Sequence, residues 1–368
     1  MRMTFINPPF QSWKRVFFIF CVIAISAFRL FCCFRVPLCT TDLLRNMGYG
    51  LEFWDYGPQV YDLYPEDFSP ASYSTLWPVH YYTYPAITLL FFALIVKIWP
   101  SIVFGKLILT LLAAINCFYI RRLTRNPWLA LLYWINPLSI WFVSYEGQFE
   151  EMAVFWVLLA ISALRKNQPI AYLYLAIGIQ TKLFPVFLIP YFLQCTYQSD
   201  ENYQGAGFAW FVVGFLPSLY FVLTSQYLAP LLYPGFVPGY NAVSWALQEF
   251  KFFPLQPFGI MFLHNIVGGV FIAVAFYFMW KTKEFVPYFA ALFFVCFVKN
   301  NKIAQPWYLL LTPAFCLTVE NEKHRRILFI LSLGFGLDCF IRMFYPGFKH
   351  NNIQEVLILL KKNMYWIH

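Results

Sequence analysis

The chain has 368 residues, of which 61% are hydrophobic, 22% aromatic and only 12% charged, against about 25% charged in a soluble domain. That balance excludes an ordinary soluble enzyme and implies a polytopic membrane protein, all-α, with residues 1–368 read as a single transmembrane domain. The formal net charge of +9 does not point to nucleic acid, because Lys and Arg gather in short links between apolar runs, as the positive-inside tendency predicts.

In chain order, the first apolar run is Val16–Arg35, "VFFIFCVIAISAFRLFCCF" and the arginine that follows it. It follows Lys14 and Arg15 and lacks a small-residue cleavage site, so it reads as a retained first span rather than a leader. The spacing of basic clusters sets the orientation: Arg2, Lys14 and Arg15 on the cytoplasmic side, with Arg121/Arg122/Arg125, Arg165/Lys166, Lys281/Lys283 and Lys323/Arg325/Arg326 returning to it. Further runs that approach the roughly 20 residues needed to cross a bilayer are Val103–Ile120, Gly207–Leu223, Phe258–Trp280 and Ile327–Tyr345. Parity requires that Tyr84–Pro100, which is short, bounded by prolines and carries Lys97, not cross; it is expected to be a re-entrant or interfacial helix within an outer segment 36–101. About eleven crossings follow, or twelve if Gln354–Trp366 inserts.

The outer segment from about Pro37 to Tyr84 holds Asp42, Glu52, Asp55, Asp62, Glu66 and Asp67, six of the 17 acidic residues, interleaved with Tyr, Trp and Pro. Aromatics beside carboxylates suit a planar, polar ligand such as a sugar. Asp42, at the mouth of the first span and three residues before Arg45, is tethered and partly desolvated, as suits a general base acting on a hydroxyl. The stretch "WINPLSIWFVSYEGQFEEMAVFW" breaks an apolar run at Asn136-Pro137 and then places Glu146, Glu150 and Glu151 between hydrophobic blocks. Carboxylates cost about 2.5 kcal/mol or more each at the bilayer centre, so the Tyr145–Glu151 turn is expected at the outer water boundary. Glu146, Gln148 and Glu150 are expected to face a cavity, and Glu151 to face solvent. The simpler alternative is that these glutamates meet the N-terminal dipole of the next helix.

Lys182, in "IGIQTKLFPVFLIP", stands between two apolar halves and is followed by Pro185 and Pro190. An ammonium there either snorkels or meets a phosphate. "FVKNNKIAQPWYLLLTPAF" repeats the pattern with Lys302, Gln305, Trp307 and Tyr308. Arg29, His80 and Arg342 are further cation candidates. The nine cysteines sit mostly in apolar runs with no metal-ligand spacing, so no metal site is predicted; Cys32, Cys33 and Cys39 are near enough in sequence for a disulfide. No Asn-x-Ser/Thr acceptor and no internal repeat occurs.

The order of an Asp after the first span, then "YTYPAITLLFFALI", "FGKLILTLLAAINCFYIRRL", "ALLYWINPLSIWFVSYEGQFEE", "YLAIGIQTKLFPVFLIP" and "AQPWYLLLTPAF" resembles the GT-C superfamily of integral-membrane glycosyltransferases. The nearest relatives are mannosyltransferases that use polyprenyl-phosphate sugars, including the catalytic subunit of GPI mannosyltransferase I and bacterial family-87 enzymes. The resemblance spans about residues 35–320 and implies a GT-C-like fold of about 11–12 helices with interfacial helices in a long first outer loop. It implies an inverting hexosyltransferase in the bacterial cytoplasmic or endoplasmic reticulum membrane, N-terminus cytoplasmic. The donor would be a polyprenyl-phosphate hexose, with mannose the sugar implied, and the partners a lipid or glycan acceptor and membrane lipids. Asp42 maps to the catalytic Asp, Tyr145–Glu150 to a second polar site, and Lys182 with Pro185 to the lipid-phosphate end of the donor; Arg45, Lys302, Gln305, Trp307 and Tyr308 would line the substrate. The GPI enzyme carries an Asp-x-Asp pair where this chain has Thr40-Thr41-Asp42, so a divalent metal is an open requirement rather than an implied one.

Two further classes are weighed against this. A transporter or flippase of a polar or lipid-linked substrate would place charged groups near the midplane in discontinuous helices. A scaffold subunit of a glycosylation complex would have a degenerate site, which Asp42 argues against.

Overall fold

The computed structural model describes residues 10–35, 41–63, 82, 84–137, 139–182, 184–197, 201–225 and 277. Among them there is no strand: the order is α1 (Phe10–Phe34), α2 (Thr41–Tyr56), a 3-10 turn (Gly57–Asp62), α3 (Ala86–Ile98), α4 (Ile102–Thr124), α5 (Pro127–Trp134), a π-helix (Ser139–Tyr145), α6 (Glu150–Leu164), α7 (Ala171–Thr181), a 3-10 turn (Phe184–Leu188), α8 (Ile189–Thr196) and α9 (Glu201–Thr224). Among the described residues three helices are long and apolar enough to cross a membrane: Trp13–Phe34, Ile102–Thr124 and Glu201–Thr224. They match three of the runs expected from sequence. Large apolar side chains of α1 (Phe17, Phe20, Ile23, Phe31) and of α9 (Phe208, Leu216, Leu223) stand exposed, the surface of a protein embedded in lipid. Most of the expected spans Phe258–Trp280 and Ile327–Tyr345 lie outside the described residues.

The remaining helices are short because specific residues stop them. Arg125 takes a left-handed φ of 53° after α4; Asn126 then caps α5, its side chain accepting from Trp128 N at 2.9 Å with Pro127 at the first turn. α5 lasts only 8 residues before Asn136-Pro137, where the proline removes an N–H and restricts its predecessor. The chain resumes as a π-helix, with Glu146 N bonded to Trp141 O at 2.9 Å, the five-residue step of the wider coil. It turns through Gly147, whose φ of +83° suits a residue without Cβ, into α6, bent 118° from the π-helix. At 15 residues, α6 is about 22 Å long, short of the roughly 30 Å of a hydrocarbon core. It is largely buried, with Val154, Val157 and Leu158 at 0% exposure, and packs against α4 and α7.

The expected outer segment is not a loop where it is described. α2 runs through most of its first half and lies directly on α3: a Cβ at Gly50 would sit 2.7 Å from Ala93 N and from the Phe92 carbonyl carbon, and Trp54 Nε1 donates to Ala93 O at 2.9 Å. α3, the expected non-crossing element, has 13 residues, about 20 Å. Its Thr88 hydroxyl donates to the Thr181 carbonyl at the end of α7, where Lys182 is extended (φ −154°, ψ 134°) and the helix stops.

α9 closes against α7 through glycine: a Cβ at Gly214 would meet Ala176 Cβ at 2.5 Å. Pro217 interrupts the ladder there, and the Gln180 carboxamide enters it. Its Nε2 donates to Gly214 O, while its Oε1 accepts from Ser218 N at 3.2 Å and Ser218 Oγ at 2.7 Å. One side chain thus satisfies both ends of a helical rung and ties α7 to α9.

The α2–α3 contact gives a direct stability test. Gly50→Ala drives a methyl into α3 backbone and should cost about 1–3 kcal/mol, read as a lower thermal midpoint in detergent. Gly205→Ala, with nothing within 4 Å of the added Cβ, should leave the midpoint unchanged or raise it slightly, for a stability gain of about 0.5–1 kcal/mol.

Candidate functional site

The π-helix, the Glu146–Phe149 turn and the start of α6 bring together charged side chains that a membrane protein seldom buries. Among the described residues Arg29, Lys106, Glu146, Glu150, Glu151 and Lys182 are all buried, and they fall into two groups.

The first group is built on Glu151, expected to face solvent and found at 0% exposure. Its Oε2 accepts from Asn116 Nδ2 and from the Tyr133 hydroxyl, both at 2.6 Å, and its Oε1 from Ser139 Oγ at 2.8 Å. Ser139 Oγ in turn receives Arg29 Nη2 at 2.9 Å, so a neutral hydroxyl relays one buried charge to the other. Arg29 also donates to Trp134 O (Nη2 at 2.8 Å, Nε at 3.1 Å), Ser139 O and Ser144 Oγ, and its guanidinium stacks 4.2 Å from the Trp134 ring centroid. The Trp134 carbonyl belongs to the last turn of α5, which Asn136-Pro137 cuts off from further helix. Arg29 therefore fills the gap that the proline opens. Glu151 faces inward because α6 begins at Glu150, and a one-residue step turns the side chain by about 100°.

The second group lies around Glu150, the first residue of α6, whose carboxylate pairs with the Lys182 ammonium. Lys182 is delivered by the extended break after α7, and its Nζ stands 4.9 Å from the Phe149 ring centroid. Phe149 packs edge-on against Tyr84 at 4.7 Å, and the Tyr84 hydroxyl accepts from Arg45 Nη2 at 2.8 Å, with the Arg45 guanidinium 4.9 Å from the Tyr84 ring. Glu146 Oε1 accepts from Trp141 Nε1 at 2.9 Å. Lys106, at the beginning of α4, donates to the Arg35 carbonyl at 2.6 Å, lies 5.8 Å from the Tyr145 ring centroid and is within electrostatic reach of Glu146.

Asp42 is the second residue of α2. Its neighbour Leu43 lies over the turn, since a Cβ on Gly147 would come within 2.4 Å of Leu43 Cδ2. The backbone thus brings Leu43, near the start of α2, to the Glu146–Phe149 turn. Glu151, expected to face solvent, is enclosed by protein as Glu146 and Glu150 are, at 0%, 7% and 1% exposure, because Asn116, Tyr133 and Ser139 meet Glu151, Lys182 meets Glu150 and Trp141 meets Glu146. Gln148 is buried in the same turn. Cys32 and Cys33 are free thiols. The candidates Lys302, Gln305, Trp307, Tyr308, His80 and Arg342 lie outside the described residues.

Lys106 and Asn116 were legible as polar residues inside the run Val103–Ile120, yet sequence reasoning passed over them; Tyr84 and Phe149 carried no signal apart from their fold neighbours. Among the described residues no group of three or more His, Cys, Asp or Glu is placed to hold a metal ion. No protein-family model, no curated protein and no solved structure matches the chain.

The Glu150–Lys182 pair should behave as a buried unit. Glu150→Gln or Lys182→Met alone leaves a charge without its counter-ion and should cost about 3–5 kcal/mol, whereas the double variant should recover most of that loss, by a double-mutant cycle on unfolding midpoints. Ser139→Ala removes the relay between Arg29 and Glu151 and should cost about 1–3 kcal/mol, by the same measurement.

Proposed function

We propose that the chain is an inverting glycosyltransferase of GT-C type that moves a hexose, with mannose the sugar implied by the resemblance, from a polyprenyl-phosphate donor to a lipid-linked or glycan acceptor. On this reading it is a multi-pass protein of the bacterial cytoplasmic or endoplasmic reticulum membrane, its N-terminus cytoplasmic and its site open to the outer or lumenal face. The observation that carries the reading is the meeting of the start of α2, which bears Asp42, with the turn that contains Glu146 and Gln148 and leads into Glu150, itself paired with Lys182. Asp42 deprotonates the acceptor hydroxyl, whose oxygen attacks the anomeric carbon as the C–O bond to the phosphate breaks. The leaving phosphate takes the electron pair and is stabilised by cations of the site, Lys182 and Arg45. Glu146 and Glu150 orient hydroxyls of donor or acceptor. The chemistry of the donor supplies the sugar already activated, so no nucleotide-binding fold is required.

One observation favours a second reading, a transporter or flippase. The π-helix and α6 form a sharply bent pair at 118°, α7 breaks at Lys182, and ionisable groups are buried at both breaks, a pattern of discontinuous helices around a transported substrate. Turnover separates the two. Purified protein given polyprenyl-phosphate mannose or polyprenyl-phosphate glucose with a mixed lipid acceptor should release polyprenyl phosphate; release from neither donor, with movement of the lipid between leaflets, would establish the second reading. Asp42→Asn should lower the rate of release by about 100-fold or more with the unfolding midpoint preserved, and activity within a few-fold of the parent would move the base elsewhere.

A further inference from the structure

Asn46 is fully buried, at 0% exposure, and neither its Nδ2 nor its Oδ1 has a hydrogen-bond partner among the described residues. A buried carboxamide offers two donors and a two-lone-pair acceptor, and leaving all of them unmet is costly enough that each native instance calls for an explanation. Its position supplies one. Asp42, Asn46 and Gly50 follow at four-residue steps and so share one stripe of α2. At the far end of that stripe Gly50 is pressed on the α3 backbone. On one side of Asn46, Leu43 reaches Gly147; on the other, Arg45 reaches Tyr84, whose ring packs on Phe149. Asn46 is therefore buried on α2 between residues that reach the Glu146–Phe149 turn and Tyr84, one helical turn from Asp42. The charged groups about that turn are each engaged with a neighbour, Glu150 with Lys182, Glu146 with Trp141 and Lys106 with the Arg35 carbonyl.

We infer that Asn46 is a specificity-determining residue that reads hydroxyl groups of the sugar, its Oδ1 accepting from one hydroxyl and its Nδ2 donating to a neighbouring one. A neutral group with paired donor and acceptor capacity matches adjacent hydroxyls of a hexose, whereas a phosphate offers only acceptors and would leave Oδ1 unmet. A site that holds such a polar group unpaired in its resting state discriminates strongly against ligands lacking the matching hydroxyl. The inference rests on the glycosyltransferase reading and names the residue that would distinguish the sugar from its carrier.

The test uses the full chain in detergent micelles with two probes, polyprenyl-phosphate mannose and bare polyprenyl phosphate. Asn46→Leu replaces the amide by an apolar group of similar branching. It should raise the unfolding midpoint by a few degrees, because two unmet polar atoms leave the interior, and weaken binding of the mannose-bearing lipid by about tenfold or more, with bare polyprenyl phosphate bound as before. Asn46→Ser, which keeps a donor and an acceptor, should restore part of the affinity, and it stands in should the leucine variant not fold. A lower midpoint in both variants with unaltered preference for the mannose-bearing lipid would make Asn46 a structural residue and overturn the inference. Equal loss for both lipids would overturn it too, by assigning Asn46 to the carrier. If the parent protein binds bare polyprenyl phosphate and mannose-bearing lipid equally, the inference fails while a lipid-phosphate site survives; if it binds neither, the glycosyltransferase reading fails with it.

Discussion

A carboxylate inside a low-dielectric interior must be met by donors, and the structure depends on how Glu151 is met. Three hydrogen bonds reach it from α4, α5 and the π-helix, through Asn116, Tyr133 and Ser139. Ser139 then links it to Arg29 of α1. Removal of the charge on either side would leave the other stranded, which is the most damaging change a buried pair can undergo. Five elements, α1, α4, α5, the π-helix and α6, thereby meet in one network.

The same network explains why the broken helix is tolerated. Breaking at Asn136-Pro137 leaves backbone carbonyls without helical donors, and unmet backbone groups are costly wherever water is excluded. Arg29 donates to the Trp134 carbonyl at the end of α5 and so takes over a missing bond. The π-helix that follows lets the chain regain bonding over a short stretch before Gly147 turns it into α6. Pro217 in α9 receives the same kind of remedy from Gln180.

Adjacent glutamates at one helix start are divided between two tasks by the geometry of the helix itself. Glu151 points to the bracing network, while Glu150 points to Lys182, which arrives from an extended break after α7. One glutamate thus braces the broken helix, while the next holds the buried Lys182 ammonium. Lys182, Phe149, Tyr84 and Arg45 form a continuous line of contacts from that site to α2, the helix that carries Asp42.

Much of the outline was legible in the residues alone. Apolar runs announced the three long helices because hydrocarbon tolerates few charges over that length, and Asn136-Pro137 announced a break because proline lacks the N–H a helix needs. Lys182 and the three glutamates stood out as charges among hydrophobes. Their surroundings were not legible, because a sequence shows that a charge is present without showing which distant residue neutralises it. Arg29 and Ser139 are separated by 110 positions, and Lys106 meets a carbonyl 71 positions away. Without those partners the economical place for Glu151 was water. Asn46 likewise looks unremarkable in a polar segment, since its burial depends on α2 being a helix pressed on α3 and on the turn at Gly147. Local chemistry thus determined where the chain is apolar and where it must break; tertiary packing alone decided which broken ends and buried charges meet, because only contacts between remote segments can replace the hydrogen bonds and counter-charges that water would otherwise supply.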